Sequence, residues 1–190
     1  MNAVAVYCGS SAGVNPAYSE AARELGAEIA RRGVTLVYGG GRVGLMGAVA
    51  DACLAHGGRV VGVMPDFLVR REVAHQQLSE LVVVETMHER KTVMAERADA
   101  FIAMPGGYGT LEEFTEALTW TQLGLHRKAH ALLNTAGFFD ALLTFFDHAQ
   151  QAGFVTADAR ALVLAHHDPA ALLDALARHG SASGGSYRRA

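Results

Sequence analysis

Three times this chain runs an apolar stretch into a glycine-rich turn and then into a helical pattern. The stretches are Ala3 to Cys8, Val34 to Tyr38 and Ala100 to Met104. Their turns are Gly9-Ser10-Ser11-Ala12-Gly13, Gly39-Gly40-Gly41-Arg42-Val43-Gly44 and Pro105-Gly106-Gly107-Tyr108-Gly109. Continuous apolar runs, rather than alternating ones, are what a strand buried on both faces requires. Further strands are expected at Arg59 to Met64, Leu81 to Glu85 and Ala129 to Asn134. Helical patterns separate them, over 15–32, 48–56, 87–97, 138–151 and from Asp168-Pro169 to His179. This order predicts an α/β fold, a Rossmann-like doubly wound parallel sheet with helices on both faces. In such a sheet the C-terminal strand ends share one edge, and all three glycine turns would face its crevice.

A length of 190 residues suits one domain, placed at 1–180, with a Ser/Gly-rich flexible tail over 181–190. A net charge of −3 gives no electrostatic case for nucleic acid or an anionic membrane. The basic doublets Arg31-Arg32, Arg70-Arg71 and Arg188-Arg189 are scattered. No apolar stretch approaches the roughly 18 residues of a membrane span. The start, Met1-Asn2-Ala3-Val4, has no basic n-region and leads straight into a strand, unlike a signal peptide. Two cysteines, Cys8 and Cys53, read as small core residues of a reduced, cytoplasmic protein.

The densest chemistry lies in Pro105-Gly106-Gly107-Tyr108-Gly109-Thr110-Leu111-Glu112-Glu113. A strand, a glycine turn and a helix N-terminus make an anion site, and Thr110 is a natural N-cap. Two carboxylates in the first helical turn would repel a phosphate beside them. The mixture points to phosphate at one place and acid–base or cation-stabilising chemistry at another. Thr110-x-x-Glu113 also reads as a capping box, with Glu113 only returning a hydrogen bond to the Thr110 N–H. Capping does not need three glycines.

Gly39, Gly41 and Gly44 satisfy the dinucleotide fingerprint G-x-G-x-x-G. The acidic ribose partner would be Asp66, which comes late, and the match follows the second strand rather than the first, so a nicotinamide is not expected. The Gly9-Ser10 turn reads either as a phosphate or ribose contact or as a polar turn before a helix capped by Asn15-Pro16.

Met87-His88-Glu89-Arg90-Lys91 opens the helix before the main glycine strand. A basic pair there opposes the helix dipole, which invites a functional reason, and Arg90 could meet Glu113. The chain has two lysines, Lys91 and Lys128, neither in an apolar run that would suit a Schiff base. His88-Glu89 begins like H-E-x-x-H but the fifth residue is Thr92. His126 and His130 are four apart, but His130 already belongs to the next strand. No metal and no P-loop are expected.

Taken jointly, the Pro105 to Glu113 motif, Met87 to Lys91 and Tyr38-Gly39-Gly40-Gly41 resemble the Lonely Guy family. Its members are cytokinin-activating phosphoribohydrolases, often mislabelled as lysine decarboxylases. The resemblance runs from Ala3 to about Leu173. It implies a nucleoside 5′-monophosphate substrate with an adenine-type base, hydrolysed to free base and ribose 5-phosphate without a cofactor. It implies a homodimer with the active site near the subunit interface. By resemblance Arg90 and Glu113 are the catalytic pair, and Glu72, Lys91, Gly106, Gly107, Tyr108, Gly109, Thr110, Leu111, Glu112 and Thr119 are substrate contacts. The turns at Gly9-Ser10 and Gly39-Gly40-Gly41 complete the expected substrate surface. Residue chemistry agrees, since a carboxylate suits the positive sugar of glycosidic cleavage, and a neighbouring Arg90 would keep it ionised. The alternative is a non-catalytic nucleotide or molybdenum-cofactor carrier of the same fold.

Overall fold

The computed structural model of the protein describes residues 1–70 and 74–182. Seven strands form one parallel sheet: β1 (Ala3–Tyr7), β2 (Thr35–Tyr38), β3 (Val60–Pro65), β4 (Glu80–Val84), β5 (Ala100–Ala103), β6 (Ala129–Leu133) and β7 (Val163–His166). Their spatial order is β4-β3-β2-β1-β5-β6-β7, and every pair is parallel. The order reverses at β1, which pairs with both β2 and β5. Chains leaving β1 and β5 therefore part there and open a crevice beyond the strand ends.

Helices α1 (Pro16–Arg31), α2 (Gly44–Ala55), α4 (Met87–Arg97), α5 (Tyr108–Gln122), α6 (Asp140–Gln151) and α8 (Pro169–Ala182) cover the sheet, with short α3 (Asp66–Val69) and α7 (Ala157–Ala161) in connections. One core packs α1, α2 and α8 on one face; the other packs α4 and α5 on the opposite face. Asn15 caps α1 through the Ala17 N–H at 3.0 Å, with Pro16 in the first position, as the sequence predicts. Helix α1 then buries Ala22, Leu25 and Ile29. It lies so close to α2 that a Cβ on Gly26 would sit 2.3 Å from the Val49 carbonyl oxygen.

Four elements were not foreseen: β7, α3, α7 and a 3-10 turn at Thr135–Gly137. Strand β7 is a four-residue edge strand that ends half exposed, without the continuous burial of the central strands. Helices α3 and α7 are single turns. The last helix is capped as expected, with Asp168 Oδ1 accepting from the Ala171 N–H at 2.7 Å. The predicted tail over 181–190 falls almost wholly outside the described residues.

The start of α5 differs from expectation. Gly107, not Thr110, is the N-cap, and no side chain caps this end. Thr110 lies inside the first turn and is buried. The capping box Thr110-x-x-Glu113 does not form, because the glycines let the helix begin three residues sooner. The same T-x-x-E pattern does cap α4. There Thr86 Oγ1 accepts from the Glu89 N–H at 3.0 Å, and Glu89 Oε2 accepts from the Glu85 N–H at 2.8 Å.

Candidate active site

The crevice is built from backbone first. The turn after β1 meets the turn after β5, with the Gly9 N–H donating to the Pro105 carbonyl at 3.0 Å. A Cβ at Gly9 would lie 3.3 Å from the Gly106 Cα, and one at Gly106 would lie 2.1 Å from Thr110 Oγ1. Both positions are therefore glycine for packing reasons. Gly107 and Gly109 are different, since a Cβ at either would meet nothing within 4 Å. Packing gives no reason for glycine there, and both lie at the start of α5, where its first N–H groups have no partner within the helix. Beside Gly9 and Gly106 lies a recess of about 290 Å³, lined by Ser10, Ser11, Leu45 and the Tyr18–Phe138 ring pair.

Two helices bring their charged residues to this crevice. Arg90 is the fourth residue of α4, past a first turn that carries Glu89, so the expected conflict with the helix dipole is mild. Glu113 projects from α5. Both are 9% exposed, and Arg90 Nη1 lies 3.5 Å from Glu113 Oε1. That separation is an ion pair but too long for a good hydrogen bond, so neither group is saturated by the other. Met87 Sδ lies 3.7 Å from the same guanidinium nitrogen. Arg90 Nε is buried with no hydrogen-bond partner among the described residues. A buried, unsatisfied guanidinium donor is costly, and a bound ligand would satisfy it.

The electrostatics correct one expectation. Burial pushes the Glu113 carboxyl above the ordinary carboxylate range; Arg90 pulls it down, but Glu112 pushes it up again and the net shift is upward. Arg90 thus offsets burial only in part, instead of keeping Glu113 firmly ionised. Tyr7 and Cys8, at the end of β1, are raised by burial and further by the Glu113 charge.

Lys91 and Glu112 stand in a second pair. Lys91 Nζ bonds Glu112 and also reaches Glu116 Oε2 at 2.9 Å, tying α4 to α5. Burial alone would lower Lys91, but the hydrogen bonds it donates to Glu112 and Glu116 outweigh it and hold it protonated. Thr119 turns its hydroxyl back to the Thr115 carbonyl at 2.7 Å. The structure thus gathers Arg90, Glu113 and the Gly106 to Thr110 turn, and finds Lys91 and Glu112 paired with each other across α4 and α5 and Thr119 bonded within its own helix. Tyr108 is 94% exposed at the mouth. Leu111 is half-buried against the core on the α5 side, and Ser10 is exposed. Glu72 lies outside the described residues.

The Gly39 to Gly44 loop does not behave as a dinucleotide loop. Gly44 has φ +63° and its Cβ would meet the Ser10 backbone at 2.3 Å, so it serves the approach of α2 to the β1 turn. Asp66 pairs with Arg70 at 2.7 Å. Sequence reading missed Met87, for which the signal was the Thr86-x-x-Glu89 cap, since that cap puts Met87 and Arg90 three apart on one face. Lys128, expected in a polar run, is buried, and burial lowers its pKa. It immediately precedes β6, at the edge of the sheet opposite the crevice, and bonds the Ala95 carbonyl. His126 and His130, expected apart, both bond Thr121 Oγ1, at 2.9 and 2.7 Å.

Residues 46–176 match a family described as "Possible lysine decarboxylase". The cytokinin riboside 5′-monophosphate phosphoribohydrolase LOG7 of Arabidopsis thaliana is 52% identical over 162 residues, 85% of this chain and 74% of that protein. The chain belongs to the LOG family. LOG2 of the same plant is 46% identical over 173 residues, covering 91% of this chain and 81% of that one. LOG of Oryza sativa is 52% identical over 161 residues, covering 85% of this chain and 66% of that one. Among solved structures, the molybdenum cofactor binding protein of Rippkaea orientalis superposes with a TM-score of 0.72 at 21% identity, covering 94% of this chain and 96% of that one. The molybdenum cofactor carrier protein of Chlamydomonas reinhardtii does so with 0.72 at 22% identity, covering 95% and 99%. At that identity these neighbours speak to the fold.

Proposed function

We propose that this LOG-family protein hydrolyses the N-glycosidic bond of a nucleoside 5′-monophosphate with an adenine-type base, giving free base and ribose 5-phosphate. The carrying observation is a buried carboxylate, Glu113, held 3.5 Å from Arg90 at the N-terminal end of α5. In this reading the N–H groups of Gly107 to Thr110 hold the 5′-phosphate. As the bond from C1′ to the base nitrogen breaks, its electron pair leaves with the base and positive charge builds on the sugar. Ionised Glu113 faces that charge and takes a proton from the attacking water, whose oxygen bonds C1′. The proton passes to the departing base. Arg90, with its unsatisfied Nε, holds phosphate or base against Glu113. Neither lysine is placed for a Schiff base, Lys91 being ion-paired and Lys128 at the far edge.

The test is release of free base, measured side by side on AMP and isopentenyladenosine monophosphate. Release from either supports the reading, and the ratio gives the base preference. Binding of both without release would favour the carrier reading, to which the TM-score of 0.72 with molybdenum cofactor carriers lends the fold alone.

Further parts of the reading follow. Residues 1–180 act as one nucleotide-binding domain, without metal or nucleic acid. The protein works in the cytoplasm, where the buried thiols Cys8 and Cys53 stay reduced, and cell fractionation would locate it. Among the described residues no helix is long and apolar enough to cross a membrane. The protein is a homodimer. Phe114 is core, at 0% exposed, and Leu118 and Trp120 pack against the same core, so α5 turns most of its large apolar side chains inward. Tyr108 and Met87 remain exposed around the site and are the surface offered to a partner copy, with Leu123 exposed at the other end of α5. Light scattering at micromolar concentration should give twice the chain mass, and a fully active monomer would refute this.

A further inference from the structure

The structure assigns Gly39 a role that a phosphate loop does not explain: it is the seat of the Arg90 guanidinium. The assignment rests on the reading of Arg90 as a member of the reacting pair. Gly39 is buried directly after β2. A Cβ built on it would lie 1.9 Å from Arg90 Nη2 and 3.0 Å from Arg90 Cζ, distances at which no side chain coexists with the guanidinium. The next nearest atom is Met46 Sδ at 3.4 Å, an ordinary contact. No backbone atom is among the three.

Conformation does not demand glycine here either. Gly40 and Gly44 have φ of +77° and +63°, whereas Gly39 lies outside the left-handed region. An alanine is thus compatible with the local backbone and displaces one thing, the head of Arg90. That head is bounded by Gly39, by Met87 Sδ at 3.7 Å and by Glu113 Oε1 at 3.5 Å. The missing side chain at 39 sets how deep Arg90 sits, and hence its distance from Glu113. Gly39 is a positioning residue acting through Arg90, rather than a substrate contact.

The experiment is a cycle on the full chain: wild type, Gly39→Ala, Arg90→Lys and the double variant. It reads AMP turnover, thermal melting and the Glu113 titration by ¹³C-glutamate NMR. Gly39→Ala should melt like wild type, since only a flexible side-chain end is in the way. Its kcat should fall at least about tenfold, as displacement of a reacting group costs, with KM little changed. Glu113 should titrate higher, because Arg90 no longer pulls it down. On the Arg90→Lys background, which has no atom at Nη2, adding Gly39→Ala should cost nothing more. Undiminished kcat, a rise in KM alone, or a full additional loss on the lysine background would each overturn the assignment. If Gly39→Ala does not fold, the double variant should, and failure of both overturns it as well. Should wild type release no base from any monophosphate, the hydrolase reading falls, while the Glu113 titration still reports whether Gly39 seats Arg90.

Discussion

Adenosine, which is AMP without its phosphate, is expected to lose about 10²–10⁴ in kcat/KM relative to AMP. The donors at issue are the N–H groups that open α5, placed there by the Gly107 N-cap. A hydrogen bond to a charged partner contributes roughly 1.5–3 kcal/mol, and two such bonds together give that range. The loss falls on kcat/KM because the phosphate is held in the transition state as well as on binding. Inorganic phosphate should compete with AMP and not with a base. Parallel initial-rate measurements on the two substrates check this, and equal kcat/KM would remove the phosphate from the turn.

Glu113→Gln is expected to lower kcat by at least about 10²-fold, the low end for a general acid–base group. Glutamine neither faces a sugar cation as an anion nor takes a proton from water. Monophosphate binding should persist, since the α5 donors remain. Two effects on stability oppose each other. Arg90 loses its counter-charge, but the fold also stops holding a buried carboxylate whose burial cost exceeds what Arg90 returns. The net change should stay within about 1 kcal/mol. The pH dependence separates the two proteins. With its folded pKa raised, Glu113 takes up a proton more readily folded than unfolded. Wild-type stability should therefore rise, relative to the variant, as pH falls from the raised pKa toward the usual value of about 4.3. Wild-type kcat should fall over that window, because ionised Glu113 is the working form. Turnover in Glu113→Gln equal to wild type would move the role to another carboxylate.

The doubly wound parallel sheet, the shared edge and the Arg90–Glu113 meeting were legible in the sequence for one reason. Fully buried parallel strands are written as continuous apolar runs, and glycine turns mark their C-terminal ends. Where reading failed, the deciding residues lay outside the local pattern being read. Thr110-x-x-Glu113 and Thr86-x-x-Glu89 are the same local pattern, yet only the second caps a helix. In the first, Gly106 and Gly107 let the chain enter the helix early, which no rule on Thr and Glu alone contains. The ion pairs of Lys91 were likewise not legible, because the two acids it meets lie a helix away, at Glu112 and Glu116. Strand β7 is an edge of four residues beside β6, and its pairing rather than its sequence makes it a strand.

The glycines of the Pro105 to Thr110 turn also set where this protein can change. Gly106 is locked by Thr110, so altering it threatens the fold. Gly109 lies within the first turn of α5 with nothing around its missing Cβ, and alanine there would strengthen the helix by up to about 1 kcal/mol. The chain forgoes that gain and keeps a bare patch at the mouth of the crevice. Selection for heat resistance alone would fill position 109 first, and the ligand would be the first thing crowded out.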